Sequence, residues 1–143
     1  MNRVLRGRVL IDTGPLVAIL ARNDQFHRTC TQALKDLTPP LYTCWPVLTE
    51  AAWLLRFDPN AVEKLLTAAA AGLYRIFDLS EKDAVSIAAI LKKYQRLKPQ
   101  LADAALVHLA RRERIDTVFT VDRRDFRVYR PAPNRTFRII PEE

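Results

Sequence analysis

The chain has 143 residues, 49% of them apolar, and carries a net charge of +7. That length fits a single domain over residues 1–143 with a core of its own, and the apolar share excludes a disordered chain. Cys30 and Cys44 are the only cysteines and form no CxxC pair, which excludes a disulfide framework and a zinc motif and suits reduced thiols in a cytoplasmic protein.

In chain order, Arg3, Arg6 and Arg8 precede an apolar stretch in the manner of a signal peptide, but Asp12 and Gly14-Pro15 break it midway. No apolar run approaches the ~20 residues that span a bilayer, so a soluble, non-exported protein without membrane association is expected. Residues 8–11 read as a short buried strand ending at Asp12, and 15–21 as a helix with proline in its first turn. A second helical pattern covers 25–37, and 41–44 is extended. Pro46 begins a helix to residue 57. After the turn Asp58-Pro59-Asn60, an Ala/Leu-rich helix runs to residue 71, and 73–77 is strand-like. Ser80 and Asp83 resemble a helix-capping pair, with Asp replacing the usual Glu or Gln, for a helix ending at residue 94. Residues 101–112 are helical, and 116–121 and 137–140 are strands. Strands alternating with helices predict an α/β sandwich on a mainly parallel sheet, in which ligands bind beyond the carboxyl ends of strands.

Four acids interrupt segments that otherwise look buried. Asp12 ends Val9-Leu10-Ile11, Glu50 lies between Thr49 and Ala51-Ala52-Trp53, Asp103 splits Leu101-Ala102 from Ala104-Ala105-Leu106, and Asp122 closes Val118-Phe119-Thr120-Val121. Carboxylates are rarely buried unless paired or bound to a metal, and four together repel one another unless a cation neutralises them. Oxygen ligands of this kind suit Mg²⁺ or Mn²⁺ and phosphodiester chemistry, in which two ions about 4 Å apart clamp the attacking and leaving oxygens. Each acid also has a plainer reading. Asp12 terminates a strand, Glu50 reaches out of a half-exposed helix, and Asp103 pairs with Lys98, Arg111 or Arg112. Asp122 belongs to a charged turn in which Asp125 replaces it as a ligand or shares the task.

Between Lys92 and Arg138 there are 13 basic and 5 acidic residues, against 10 and 11 in the rest of the chain. This points to a polyanionic partner, with solvated helix faces and a basic tail as the plainer account. Arg123, Arg124 and Arg127 follow Asp122 closely enough to contact a phosphate backbone, or form an exposed basic turn. His27 and His108 read as packing or surface residues, and Trp45, Trp53 and Phe57 as core or dimer-face residues. Asp12-Thr13-Gly14 matches the aspartic-protease tripeptide, but those enzymes are built mainly of strands and this chain is rich in helices.

The segments Val-Leu-Ile-Asp12-Thr-Gly-Pro-Leu, Trp-Pro-Val-Leu-Thr-Glu50-Ala, Leu-Ala-Asp103-Ala-Ala-Leu and Phe-Thr-Val-Asp122-Arg-Arg-Asp125-Phe126 resemble, in order, those of PIN-domain nucleases, especially VapC-type toxins of toxin–antitoxin pairs. The resemblance implies a three-layer α/β/α sandwich with about five strands and metal-dependent cleavage of RNA. Asp12, Glu50, Asp103 and Asp122 would hold Mg²⁺ or Mn²⁺, with Thr13 and Thr120 supporting them. It further implies a homodimer and, for a toxin, an antitoxin whose C-terminal segment occupies the active-site groove. A rival of another class is a non-catalytic RNA-binding or protein-interaction module on the same fold.

Overall fold

Leu10 and Ile11 point to opposite faces of a strand, yet they are only 0% and 1% exposed. A strand buried on both faces belongs in the middle of a sheet covered by helices on each side. The computed structural model describes residues 7–142, so Arg3, Arg6 and the outermost ends of the expected domain lie outside the described residues. Its strands are β1 (Leu10–Ile11), β2 (Leu41–Cys44), β3 (Tyr74–Phe77), β4 (Thr117–Phe119) and β5 (Arg138–Ile140). All pair in parallel in the order β3-β2-β1-β4-β5, with Leu10 opposite both Tyr42 and Val118. Five strands match the expectation, and the sheet is wholly rather than mainly parallel.

The helices are α1 (Thr13–Leu20), α2 (His27–Lys35), α3 (Trp45–Leu54), α4 (Pro59–Ala70), α5 (Glu81–Lys93), α6 (Leu101–Glu113) and α7 (Arg123–Phe126). Local chemistry sets their ends. Proline near the start of α3 and α4 supplies a pre-set φ where no backbone donor is needed. Asp58 caps α4 by accepting from Ala61 N at 3.3 Å. Ser80 and Asp83 form the reciprocal capping box expected of them, with Ser80 N donating to Asp83 Oδ2 at 2.8 Å.

Three expectations are corrected. The strand read over 116–121 stops at Phe119, because the Thr120 side chain turns toward Asp12 and the backbone N–H of Asp122. The charged turn read after it is the one-turn helix α7, started by Asp122 accepting from Asp125 N at 3.2 Å. Trp45, Trp53 and Phe57 are not core residues, since Trp53 is 63% and Phe57 85% exposed.

Cys30 and Cys44 are buried and free, and burial pushes both thiols up to about 11, which leaves them inert. Among the described residues no helix is long and apolar enough to cross a membrane.

The chain leaves β1 toward β2 and β3 on one side and returns to β4 and β5 on the other. The carboxyl ends of β1 and β4 therefore frame the topological switch point, where open parallel sheets bind ligands.

Candidate functional site

Asp12 is the first residue after β1 and the residue preceding α1. Its backbone N–H donates to the Phe119 carbonyl at 2.9 Å, tying it to the end of β4. The residue is 6% exposed, and its carboxylate accepts from Thr120 Oγ1 at 2.8 Å. Thr120 also accepts from Asp122 N at 3.0 Å, so one buried hydroxyl links the two aspartates at the switch point. Gly14 permits this approach: a Cβ there would overlap Val121 Cγ2, the side chain just before Asp122. Thr13 Oγ1 donates to the Val47 carbonyl at 3.5 Å, joining the start of α1 to α3, the helix that carries Glu50.

Asp103 enters from α6. It is the third residue of that helix and accepts from Gln100 N at 3.0 Å, half of a capping box completed by the Gln100 side chain. With its NH₂ turned toward α3, the same Gln100 amide donates to the Glu50 carboxylate. Gln100 therefore positions two of the acids. Sequence reading passed over it, because glutamine is not among the residues favoured at the position before a helix. Arg111 and Arg112 are engaged elsewhere: Arg111 Nε donates to the Arg130 carbonyl at 3.2 Å, and Arg112 pairs with Asp83 at 3.1 Å and Glu113 at 2.8 Å.

The electrostatics show which acids the fold brings together. Burial, then the charge of Asp103, pushes the Asp12 carboxyl up to about 7, with Glu50 adding to the effect against the bonds from Thr120 and Thr13. Burial likewise lifts Asp103 to about 6, opposed by the Gln100 bond and reinforced by Glu50, Asp122 and Asp125. Asp125 is held above the carboxylate range by burial, by the Asp122 charge and by a carboxyl–carboxyl hydrogen bond, with Arg124 opposing. Asp103 is the hub that senses all four others. Burial beside like charges raises carboxyl pKa values in this way, and such clusters mark functional sites.

Tyr129, also absent from the sequence reading, is fully buried with a hydroxyl lacking a hydrogen-bond partner among the described residues. Burial, then Asp103 and Asp125, raises its pKa.

The donor set consists of carboxylate oxygens, which suits a hard divalent cation. Among the described residues no three acidic, histidine or cysteine groups converge closely enough to enclose an ion. Mg²⁺ typically takes one or two carboxylates and keeps several waters. The coupled, buried Asp12 and half-buried Asp103 therefore fit such an ion without a closed protein cage.

Of the three arginines after Asp122, Arg123 donates to the Pro141 carbonyl, which anchors it to the end of β5. Arg124 and Arg127 are exposed, and Arg124 lies beside Asp125. His108 proves to be a nearly buried partner of Asp83, with Nε2 at 2.7 Å from its carboxylate. Asp83 is held well below the usual range by its backbone bond to Ser80 and by His108, in contrast to the raised acids of the site.

Comparison with known proteins places the chain in a family. The sequence profile of the PIN domain matches residues 9–131. Ribonuclease VapC26 of Mycobacterium tuberculosis is 30% identical over 135 residues, which cover 93% of this chain and 100% of that protein. The crystal structure of Mycobacterium tuberculosis VapC20, a sarcin-ricin loop cleaving toxin, superposes with a TM-score of 0.72 at 19% identity, covering 80% of this chain and 91% of that one. VapBC2 from Rickettsia felis, bound to a DNA fragment from its promoter, gives a TM-score of 0.61 at 15% identity over 93% of this chain and 98% of the matched chain. At those identities the two structures speak for the fold alone.

Proposed function

This chain belongs to the PIN-domain family, in its VapC-type branch, and on that premise we propose that it is a metal-dependent endoribonuclease, the toxin of a toxin–antitoxin pair. The observation that carries the reading is the electrostatic coupling of Asp12, Glu50, Asp103, Asp122 and Asp125 around the carboxyl ends of β1 and β4. Buried acids such as Asp12 and Asp103, crowded by neighbouring negative charge, gain most from a bound cation.

Asp12 and Asp103 are the principal ligands in this reading, joined by Glu50 and Asp122, with Asp125 as an auxiliary acid. When bound, Mg²⁺ or Mn²⁺ supplies charge neutralisation at the phosphate and an acidified water. The chain's own groups prepare the site. Thr120 fixes the Asp12 carboxylate, the Gln100 backbone fixes Asp103, and the Gln100 amide steadies Glu50. Orienting bonds of this kind govern metal affinity nearly as strongly as the ligands do. In this reading the exposed Arg124 and Arg127 contact the RNA backbone, whereas Arg123 donates to the Pro141 carbonyl at the end of β5.

The related ribonuclease supports RNA as substrate, and the VapC-type kinship suggests a cognate antitoxin as partner. The exposed side chains of Trp45, Trp53 and Leu54 on α3, with Phe57 just beyond it, offer an apolar face for a protein partner, either a second copy or the antitoxin. Residues 1–143 act as one PIN domain in this reading, working in the cytoplasm on RNA.

The decisive experiment is cleavage of a mixed RNA pool by purified protein with Mg²⁺ or Mn²⁺, with EDTA, and with an Asp12→Asn, Asp103→Asn variant. Metal-dependent cleavage that the variant lacks supports the assignment. Cleavage that survives EDTA or the double substitution overturns it.

A further inference from the structure

At the end of α6 remote from Asp103, Arg111, Arg114 and Arg135 line a cavity of about 330 Å³ together with Ile115, Asp116 and Pro131. Three arginines and a single acid thus line it. Arg135 reaches Asp116 only at 3.5 Å, with both side chains more than half exposed. Arg111 is fixed by its Nε bond to the Arg130 carbonyl. Arg114 has no acidic partner among the described residues. The nearby Glu113 is already shared between Arg8 and Arg112.

The backbone adds a second observation. Arg114 closes α6 with φ 56° and ψ 50°, the left-handed conformation in which glycine or asparagine is favoured. Arg135 follows Asn134, also at positive φ. A long cationic side chain kept at a helix end that would be better served by glycine points to a use beyond the fold. The helix dipole contributes as well, since cations are favoured at a C-terminus. A phosphate would be recognised by the guanidinium forks and not by the helix end.

We propose that Arg111, Arg114 and Arg135 form a phosphodiester-binding site for nucleic-acid backbone, separate from the acid cluster. This rests on the ribonuclease reading in assigning the backbone to substrate RNA. Asp103 and Arg114 stand at opposite ends of α6, about 16 Å apart at 1.5 Å per residue. One phosphate cannot occupy both places. The site therefore favours an RNA that extends well beyond its scissile bond.

The test is binding of metal-free, full-length protein to an RNA hairpin and to a DNA duplex of similar length, each over a salt series. Two variants are compared with the parent, Arg114→Gly and Arg135→Gln. Removing one arginine that neutralises a phosphate makes the slope of log K against log salt shallower by about 0.7 to 0.9. Arg114→Gly relieves the left-handed strain, so its melting temperature should hold or rise while its slope becomes shallower. That divergence separates a binding role from a structural one. A larger slope change with the hairpin assigns the site to RNA, and a larger change with the duplex assigns it to DNA. Unchanged slopes with both probes, in variants that melt normally, overturn the proposal. Binding without metal requires no cleavage, so failure of the nuclease reading would appear separately, as intact salt-dependent binding with no metal-dependent activity.

Discussion

Thr120 Oγ1 donates to Asp12 Oδ2 at 2.8 Å across 108 residues of sequence. Both side chains are buried, and the same hydroxyl accepts from the N–H of Asp122. A single side chain thus orients one candidate ligand and sets the backbone of another.

Thr120→Val keeps the shape and removes both bonds. Loss of the bond that favours the charged form should push the Asp12 carboxyl still higher and weaken metal binding by about 10- to 100-fold. Stability should fall by about 1–3 kcal/mol, because Asp12 is left buried without that donor. Metal titration followed by calorimetry reads the first effect and chemical denaturation the second, and Thr120→Ser should restore most of both.

The raised acids set the sign of the pH dependence. Asp12 moves from an ordinary 3.8 to about 7 and Asp103 to about 6, so the folded, metal-free protein holds protons that the unfolded chain releases. Their stabilising contribution is full below about pH 4 and is lost as pH rises through 6 to 7, on the order of 4 kcal/mol for Asp12. Metal binding competes with those protons and should tighten over the same range. Melting curves from pH 5 to 8 with EDTA should therefore decline, while the upward shift produced by Mn²⁺ grows. A metal-induced shift independent of pH would contradict the assignment of these two acids as ligands.

Gly14→Ala places a methyl group against Val121 Cγ2. Overpacking at so close an approach should cost about 1–3 kcal/mol and move the start of α1 away from β4, separating Asp12 from Thr120. The double variant Gly14→Ala, Val121→Ala makes room for the methyl group and should recover metal binding. A single variant with parental stability and metal affinity would show that the approach of α1 is not what holds the site.

Asp83 provides the contrast among the acids. It caps α5 and pairs with His108 and Arg112, so its role is to join α5 to α6. Asp83→Asn should lower the melting temperature while leaving the metal-induced shift unchanged, whereas Asp103→Asn should abolish that shift. Equal loss of the metal response in both variants would remove the distinction between structural and site acids.

Much of the arrangement was legible in the sequence because it has local causes. The apolar run before Asp12, the prolines opening α3 and α4, and the Ser80–Asp83 box each act within a few residues. The four interrupted apolar segments marked Asp12, Glu50, Asp103 and Asp122 because an acid in a buried run needs an explanation wherever it falls. The double duty of Gln100 was not visible: glutamine is not a favoured cap, and its bond to Glu50 crosses from α6 to α3.

The sequence by itself determined the alternation of strands and helices, the acids that interrupt it and the basic excess of the C-terminal third. Only the tertiary structure decided which acids are coupled, that Thr120 spans Asp12 and Asp122, that Arg123 is anchored to Pro141, and that Arg111, Arg114 and Arg135 share a cavity at the other end of α6. The physical reason is range. Capping and burial periodicity act over one or two turns of chain, whereas carboxylate coupling and hydroxyl bridging depend on distances through space that parallel crossover connections create between residues far apart in sequence.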